Sequence, residues 1–435
     1  MLRALALSLV LFLSFSAVAQ PQIPTGPEFP AIPDVPPLPP PLAQQTHVST
    51  ITTAAASLLL WHETIGHTIS QVHLGRVGSD GRAVNATVRP IAPSSNIQKH
   101  PRAASDGRNV LVIWVEEAPQ FNRQILGLFT GLRGEPGHSA PFLIADGIVG
   151  DVFGVPDQQN PAAITWTGEH YLVTWSDRAP WMNPREDPPL ERIRFTRVTS
   201  DGIVLDPEGR FVPESGRKMH QTRPALAATG DGHAFLAWQD GEEYLGCMIT
   251  CPLPPPPPRI AGVVIAPGGV PASSEEIILS AGLNRLRPAV AWNGHHFLIA
   301  WKNREDLRIE AARVNLDGHV VEGEDRILII GDRTYSPDPL ALVAVGDRFI
   351  VAWSDPLNDA AFASALLSST VDRDGNVSGP WTLSFGPDRR RPDLLRTNAG
   401  GLLFYYDRSI AEPLGLLRIF GTGTTGYSVR RRPAR

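Results

Sequence analysis

Residues Pro288 to Trp301 read PAVAWNGHHFLIAW. A proline opens a run of small residues, Asn293-Gly294 makes a turn, and Phe297 to Trp301 is almost continuously apolar. An Asn-Gly pair between two apolar runs is a hairpin signal. Continuous rather than alternating hydrophobicity predicts a strand buried on both faces.

The same unit recurs outward in both directions. Pro101–Trp114, Pro161–Trp175, Pro224–Trp238, Pro339–Trp353 and Pro392–Tyr405 repeat it, and a weaker first copy without the proline ends at Trp61. The closing aromatics, Trp61, Trp114, Trp175, Trp238, Trp301, Trp353 and Tyr405, are 53, 61, 63, 63, 52 and 52 residues apart, whereas the proline-to-aromatic distance stays at 13 or 14. The variation therefore lies in loops. Behind each core comes an Arg-Val ending and a Gly turn, as in Arg197-Val198-Thr199-Ser200-Asp201-Gly202 and Arg313-Val314-Asn315-Leu316-Asp317-Gly318. A fourth strand is expected directly after that turn, at Ile203–Leu205 and His319–Val321.

Four strands per unit, stacked so that the middle strands are covered on both sides, predict an all-β chain folded as a β-propeller. The count gives seven four-stranded blades, to within one because the first and last copies are degenerate. For the closure of the ring the sequence leaves two options. Leu416 to Arg430 can supply the outer two strands of the last blade, or residues 46–56 can pair with it. The unit resembles that of secreted bacterial proteins built from tandem PAVAW-NG-FLIAW-x-D … RV-x-x-DG repeats. The resemblance covers about residues 46–420 and implies an architecture but no particular activity.

Ahead of the repeats, residues 1–19 read as a secretion signal: Arg3, an apolar stretch from Ala4 to Phe15, and the small-x-small site Ala17-Val18-Ala19. That stretch is shorter than the roughly 20 residues of a spanning helix. Residues 20–45 read as a proline-rich polyproline II linker, with Pro21, Pro24, Pro27, Pro30, Pro33, Pro36 and Pro39 at every third place. The propeller is expected at 46–424, with a basic tail at 425–435. Export to the periplasm, the cell surface or the medium follows, without a transmembrane segment, and the chain is expected to be a monomer. Net charge is -5, with both signs scattered, which argues against a nucleic-acid partner.

Two residues past each closing aromatic stand Glu63, Glu116, Asp177, Asp240, Asn303, Asp355 and Asp407. In a ring they form a circle. Each either accepts the N–H groups of its own turn, or the circle lines a mouth able to hold a cation such as Ca²⁺. No other cofactor is expected. Trp61-His62-Glu63-Thr64-Ile65-Gly66-His67 misses a zinc-protease helix, because its second His stands at i+5 rather than i+4.

Two insertions stand out. Arg178–Glu191 carries Trp181 and Met182, and Gly241–Pro258 carries Tyr244, Cys247 and Cys251. The cysteines, the only two in the chain, are candidates for a local disulfide or for free thiols, not for a metal site. Both insertions follow a second strand, so both should emerge on one face from adjacent blades, where binding loops collect. The sequence therefore points to an exported interaction module for a protein or glycan. The alternative is a hydrolase or lyase acting on polysaccharide or peptide, with carboxylates converging at the central mouth.

Overall fold

The computed structural model describes residues 28–32, 43–65, 69–118, 122–137, 140–147, 162–178, 191–213, 219–241, 257–280, 284–323, 327–332, 334, 338–356, 363–387, 389–398, 401–411 and 416–424. The signal segment, the basic tail, Trp181, Met182, Tyr244, Cys247, Cys251 and His67 lie outside them.

The chain is an all-β propeller. Pairing divides the described strands into seven antiparallel sheets. Numbered along the chain, their innermost strands are Ala43–Thr52, Ile97–Ser105, Ala162–Trp166, Gln221–Ala228, Arg285–Trp292, Ala341–Val345 and Arg389–Arg396. Each of these packs on its counterpart in the next sheet, and the last packs on the first, so the inner strands close a ring. One buried apolar cluster fills each gap between successive sheets.

Second strands such as Ala234–Asp240 and Phe297–Asn303 are buried at every residue, which explains their continuous hydrophobicity. Their tryptophans face the preceding sheet: Trp238 lies among Leu172, Ile193 and Phe195, and Trp301 against Phe235 and Ala237. Burying such a ring contributes several kcal/mol, and truncating it costs roughly 3–5 kcal/mol.

The structure revises the sequence reading in four places. First, several inner strands begin before the repeat's proline: Arg285–Trp292 and Gln221–Ala228 carry a bulge at Arg287-Pro288 and Arg223-Pro224. Second, the Gly turn leads to a single bridge, Val198 to Val204 or Val314 to Val320. The outer strands come later, at Arg210–Phe211 and Leu328–Asp332. An extended edge there would expose unpaired backbone, and the short late strand limits that.

Third, the ring closes only in part as the first option expected: the tail supplies one of the two outer strands, and the other comes from the N-terminal end. Leu416–Thr424 is the third strand of the last sheet, and Phe29–Pro30 is its outermost. A strand thus sits inside the stretch read as linker, and the first inner strand begins at Ala43 rather than at 46. Residues on either side anchor the closing strand. Glu28 pairs with the Arg389 guanidinium at 2.6 Å, and Ala31 and Ile32 are buried. The Phe29 ring covers Gly81, whose φ of +80° and close contact leave no room for a Cβ.

Fourth, the seventh aromatic is Tyr406, not Tyr405. Tyr406 packs on Ile350 and Ala352 of the preceding sheet, as the tryptophans do. Tyr405 faces the first sheet beside Trp61 and donates from its hydroxyl to the Gly81 carbonyl at 2.7 Å. Asp407 therefore stands one residue past the aromatic, in step with His62 and Gln239.

Candidate functional site

Glu63, Glu116, Asp177, Asp240, Asn303 and Asp355 stand at or near the C-terminal ends of the second strands of their sheets. Most of these groups are engaged within their own sheet. Glu116 accepts from Trp114 Nε1 (3.0 Å), Asn96 Nδ2 (2.8 Å), Ser94 Oγ (3.1 Å) and Gln98 Nε2 (3.1 Å). Burial alone would raise its pKa, but these donors outweigh burial and hold the carboxyl below its usual range.

Asp177 pairs with Arg194, yet burial dominates and raises its carboxyl. Asp240 is fully buried and pairs with Arg259 Nε at 2.7 Å. Glu63 accepts from Gln45 Nε2 at 3.2 Å. Asn303 Oδ1 accepts the N–H groups of Glu305 and Asp306, both at 3.0 Å, so it works as a turn cap. Asp355 is buried.

A second circle, which the sequence reading missed, lies on the inner strands. His47, His100, Arg223, Arg287 and Arg391 occupy the bulges with φ of +56°, +54°, +54°, +58° and +48°. Each such non-glycine residue costs on the order of 1–3 kcal/mol unless its surroundings fix it. Four of the five precede the repeat's proline, and His47 precedes Val48 in the copy that lacks it. The signal was in the sequence: the residue before the proline is large and polar in copy after copy.

What fixes them is the residue just past each aromatic. Gln239 Oε1 accepts from Arg223 Nη1 of its own sheet at 2.7 Å, and from the Arg287 N–H of the next sheet at 3.4 Å. Asp407 Oδ2 repeats this with Arg391 Nη1 (3.0 Å) and the His47 N–H (3.5 Å). His62 repeats it with Thr46 Oγ1 (2.8 Å) and the His100 N–H (3.5 Å). In the sixth sheet Ser354 Oγ donates to Asp338 Oδ2 at 3.0 Å, and Asp338 again precedes the repeat's proline. One side chain thus pins two neighbouring bulges.

The first, second and seventh sheets concentrate ionisable groups at this level. The His47 ring stacks on His62 at 4.8 Å and meets His100 edge-on at 4.6 Å. Burial pushes His47 well below the usual histidine range, and Arg391, His100, His62 and Arg102 add to the shift. Burial raises Asp407 to about 7 against the pull of Arg391, and among the described residues its Oδ1 has no hydrogen-bond partner. Asp393 is also raised by burial, with Arg102 opposing. Among the described residues no group of three or more His, Cys, Asp or Glu side chains converges on a metal position.

At the opposite, hairpin end of the inner strands lies a cavity of about 480 Å³ lined by Thr50–Thr52, Val343 and Leu394–Asn398.

No family model matches the chain, and no curated protein does. Solved structures do. A Trypanosoma rangeli sialidase mutant with trans-sialidase activity aligns at TM-score 0.47 and 10% identity, over 88% of this chain and 54% of its own. The chain thus spans about half the length of the trypanosomal sialidases it matches. A Dyadobacter fermentans protein of unknown function aligns at 0.49 and 11%, over 93% of this chain and 99% of its own. A subtype N11 neuraminidase-like protein of an influenza virus from a flat-faced bat aligns at 0.43 and 9%, over 95% and 97%. Among the described residues no helix is long and apolar enough to cross a membrane.

Proposed function

We propose that this chain is an exported, seven-bladed propeller that binds a protein or glycan over the face where its second strands end. One observation carries the reading. The second strands of the third and fourth sheets end at Arg178 and Asp240, and the third strands resume at Glu191 and Arg259. The two longest second-to-third-strand insertions, with Trp181, Met182 and Tyr244, therefore leave neighbouring sheets on one face. Long loops on a rigid scaffold are where recognition concentrates, and aromatic residues are favoured anchors.

The engaged carboxylates support binding over hydrolysis. Glu116, Asp177 and Asp240 are held by donors of their own sheets, so they are poor candidates for the paired acid and base that glycoside hydrolysis needs.

The test is a ligand screen with the mature chain from Gln20 onward, against a glycan array and against extracellular proteins. It is repeated with residues 179–190 and 242–256 replaced by short Gly-Ser linkers. The reading expects a ligand that the intact chain retains and the shortened chain loses at unchanged thermal stability. Undiminished binding by the shortened chain would refute it, and so would turnover of a glycan or peptide by the intact chain.

A further inference from the structure

The side chains that pin the bulges are not chemically equivalent. Between the fourth and fifth sheets the bridge is Gln239, whose side chain has no group that titrates in the physiological range. Around the first sheet the bridging and bulge residues are His47, His62, His100 and Asp407. His47 and His62 are 6% and 1% exposed. Their rings lie within 5.9 Å of one another and of His100.

The charged groups around His47 come from every element packed on it. Arg391 and Asp407 belong to the seventh sheet, His100 and Arg102 to the second, and His62 to its own second strand. Asp393 faces Arg102, and Asp338 of the sixth sheet faces Asp407. A proton added to the His47 ring therefore meets the Arg391 and Arg102 guanidinium groups and two further imidazoles in a desolvated setting.

We propose that the three-histidine stack is an acid-sensitive release at the ring's closing seam. Below the ordinary histidine range its protonation loosens the first sheet from the second and the seventh and leaves the rest of the ring closed. The seam is where the two ends of the chain meet: the chain passes from Phe29–Pro30 of the seventh sheet on into the first sheet, and Phe29–Pro30 is held to Leu416–Thr424 by strand pairing alone, with packing and side-chain bridges across the seam. A local opening there need not unravel the other sheets.

Two groups set the sign. His47 binds its proton more weakly folded than unfolded, so its contribution to stability is present above the usual histidine pKa and is lost as pH falls below it. Asp407 has the opposite slope. Its carboxyl holds a proton more tightly when folded, so acidification from about 7 downward favours the closed form and partly masks the histidine effect. Replacing Asp407 with Asn removes the opposing slope.

The experiment is native-state hydrogen exchange on the full mature chain between pH 7.5 and 5, corrected for intrinsic rates. It compares amides of Ser57–Ile65 with those of Phe297–Asn303. Opening of the first segment should rise about tenfold relative to the second, equivalent to about one pKa unit of linkage. The double variant His47→Gln/His100→Gln should abolish the difference, and Asp407→Asn should enlarge it. If the double variant does not fold, His62→Gln alone should reduce the difference. Equal acid responses in the two segments, or an unchanged difference in the histidine variants, would overturn the proposal.

Discussion

The seam between the fourth and fifth sheets and the seam between the seventh and first share one design with different chemistry. In both, an aromatic side chain packs back on the preceding sheet, and the residue after an aromatic reaches from one bulge to the next. At the internal seam the bridge is the neutral Gln239. At the closing seam it is Asp407, buried, raised to about 7 and set beside Arg391 and His47. The geometry of a repeat can therefore stay constant while its sensitivity to protons varies from copy to copy. Such sensitivity gathers where the two ends of the chain meet.

The first way to strain the comparison is to remove the aromatic on each side. Trp301 and Trp61 pack across the internal and the closing seam, and Trp301→Ala, Trp61→Ala and Tyr406→Ala should each cost about 3–5 kcal/mol in urea unfolding, since all three rings are fully buried. Tyr405→Phe should cost less, about 1 kcal/mol, because it loses only the hydrogen bond to Gly81. Equal losses for Tyr405→Phe and Tyr406→Ala would contradict the assignment of Tyr406 to the repeat.

Next come the bridges. Asp407→Ala removes the carboxylate that pairs with the Arg391 guanidinium at 3.0 Å and should destabilise by about 3–5 kcal/mol at pH 8. Gln239→Ala removes a neutral acceptor and should cost about 1–3 kcal/mol. The order reverses if the internal seam is the more dependent one.

The pH slope separates the seams further. In the folded chain the ionised Asp407 is less favourable than the protonated one, so stability falls as pH rises from the ordinary carboxylate range to about 7. Asp407→Asn should flatten that part of a melting-temperature profile between pH 4 and 8, whereas Gln239→Ala should leave its shape alone. The smallest effect belongs to the bulge itself. Arg223→Gly relieves a φ of +54° but loses the bond to Gln239 and adds chain entropy, so its net change should stay within about 1 kcal/mol.

Much of this was legible before any coordinates. The doubly buried second strands and their hairpins follow from runs such as Phe297 to Trp301, because burial on both faces leaves no polar position. The positions two past the aromatic were legible too: six of the seven stand at or near the C-terminal ends of second strands, and Asp407 is the exception, one residue past Tyr406.

Three things were hidden. The outer strands are only two to five residues long in most sheets, as at Arg210–Phe211, too short for alternation to register. The closing strand is a two-residue pairing inside a proline-rich stretch, where composition argues against any strand. The bulges need left-handed conformations at His100, Arg223, Arg287 and Arg391. Propensity disfavours these, and only tertiary bridges from His62, Gln239 and Asp407 make them tenable. The same one-residue slip that hid Tyr406 behind Tyr405 made Asp407 look like a member of the outer circle.

The closure is the claim on which the ring, the seam and the acid response all stand, and a cross-link tests it directly. Phe29 and Gly421 are register partners in the last sheet, and side chains at directly opposed positions lie about 4.5–5.5 Å apart at Cβ. In the variant Phe29→Cys/Gly421→Cys with Cys247 and Cys251 both replaced by Ser, mild oxidation followed by non-reducing peptide mapping should yield a single linked pair joining the segments around residues 29 and 421. Free thiols at both positions in the folded, oxidised protein would mean that the ring does not close through its N-terminal strand.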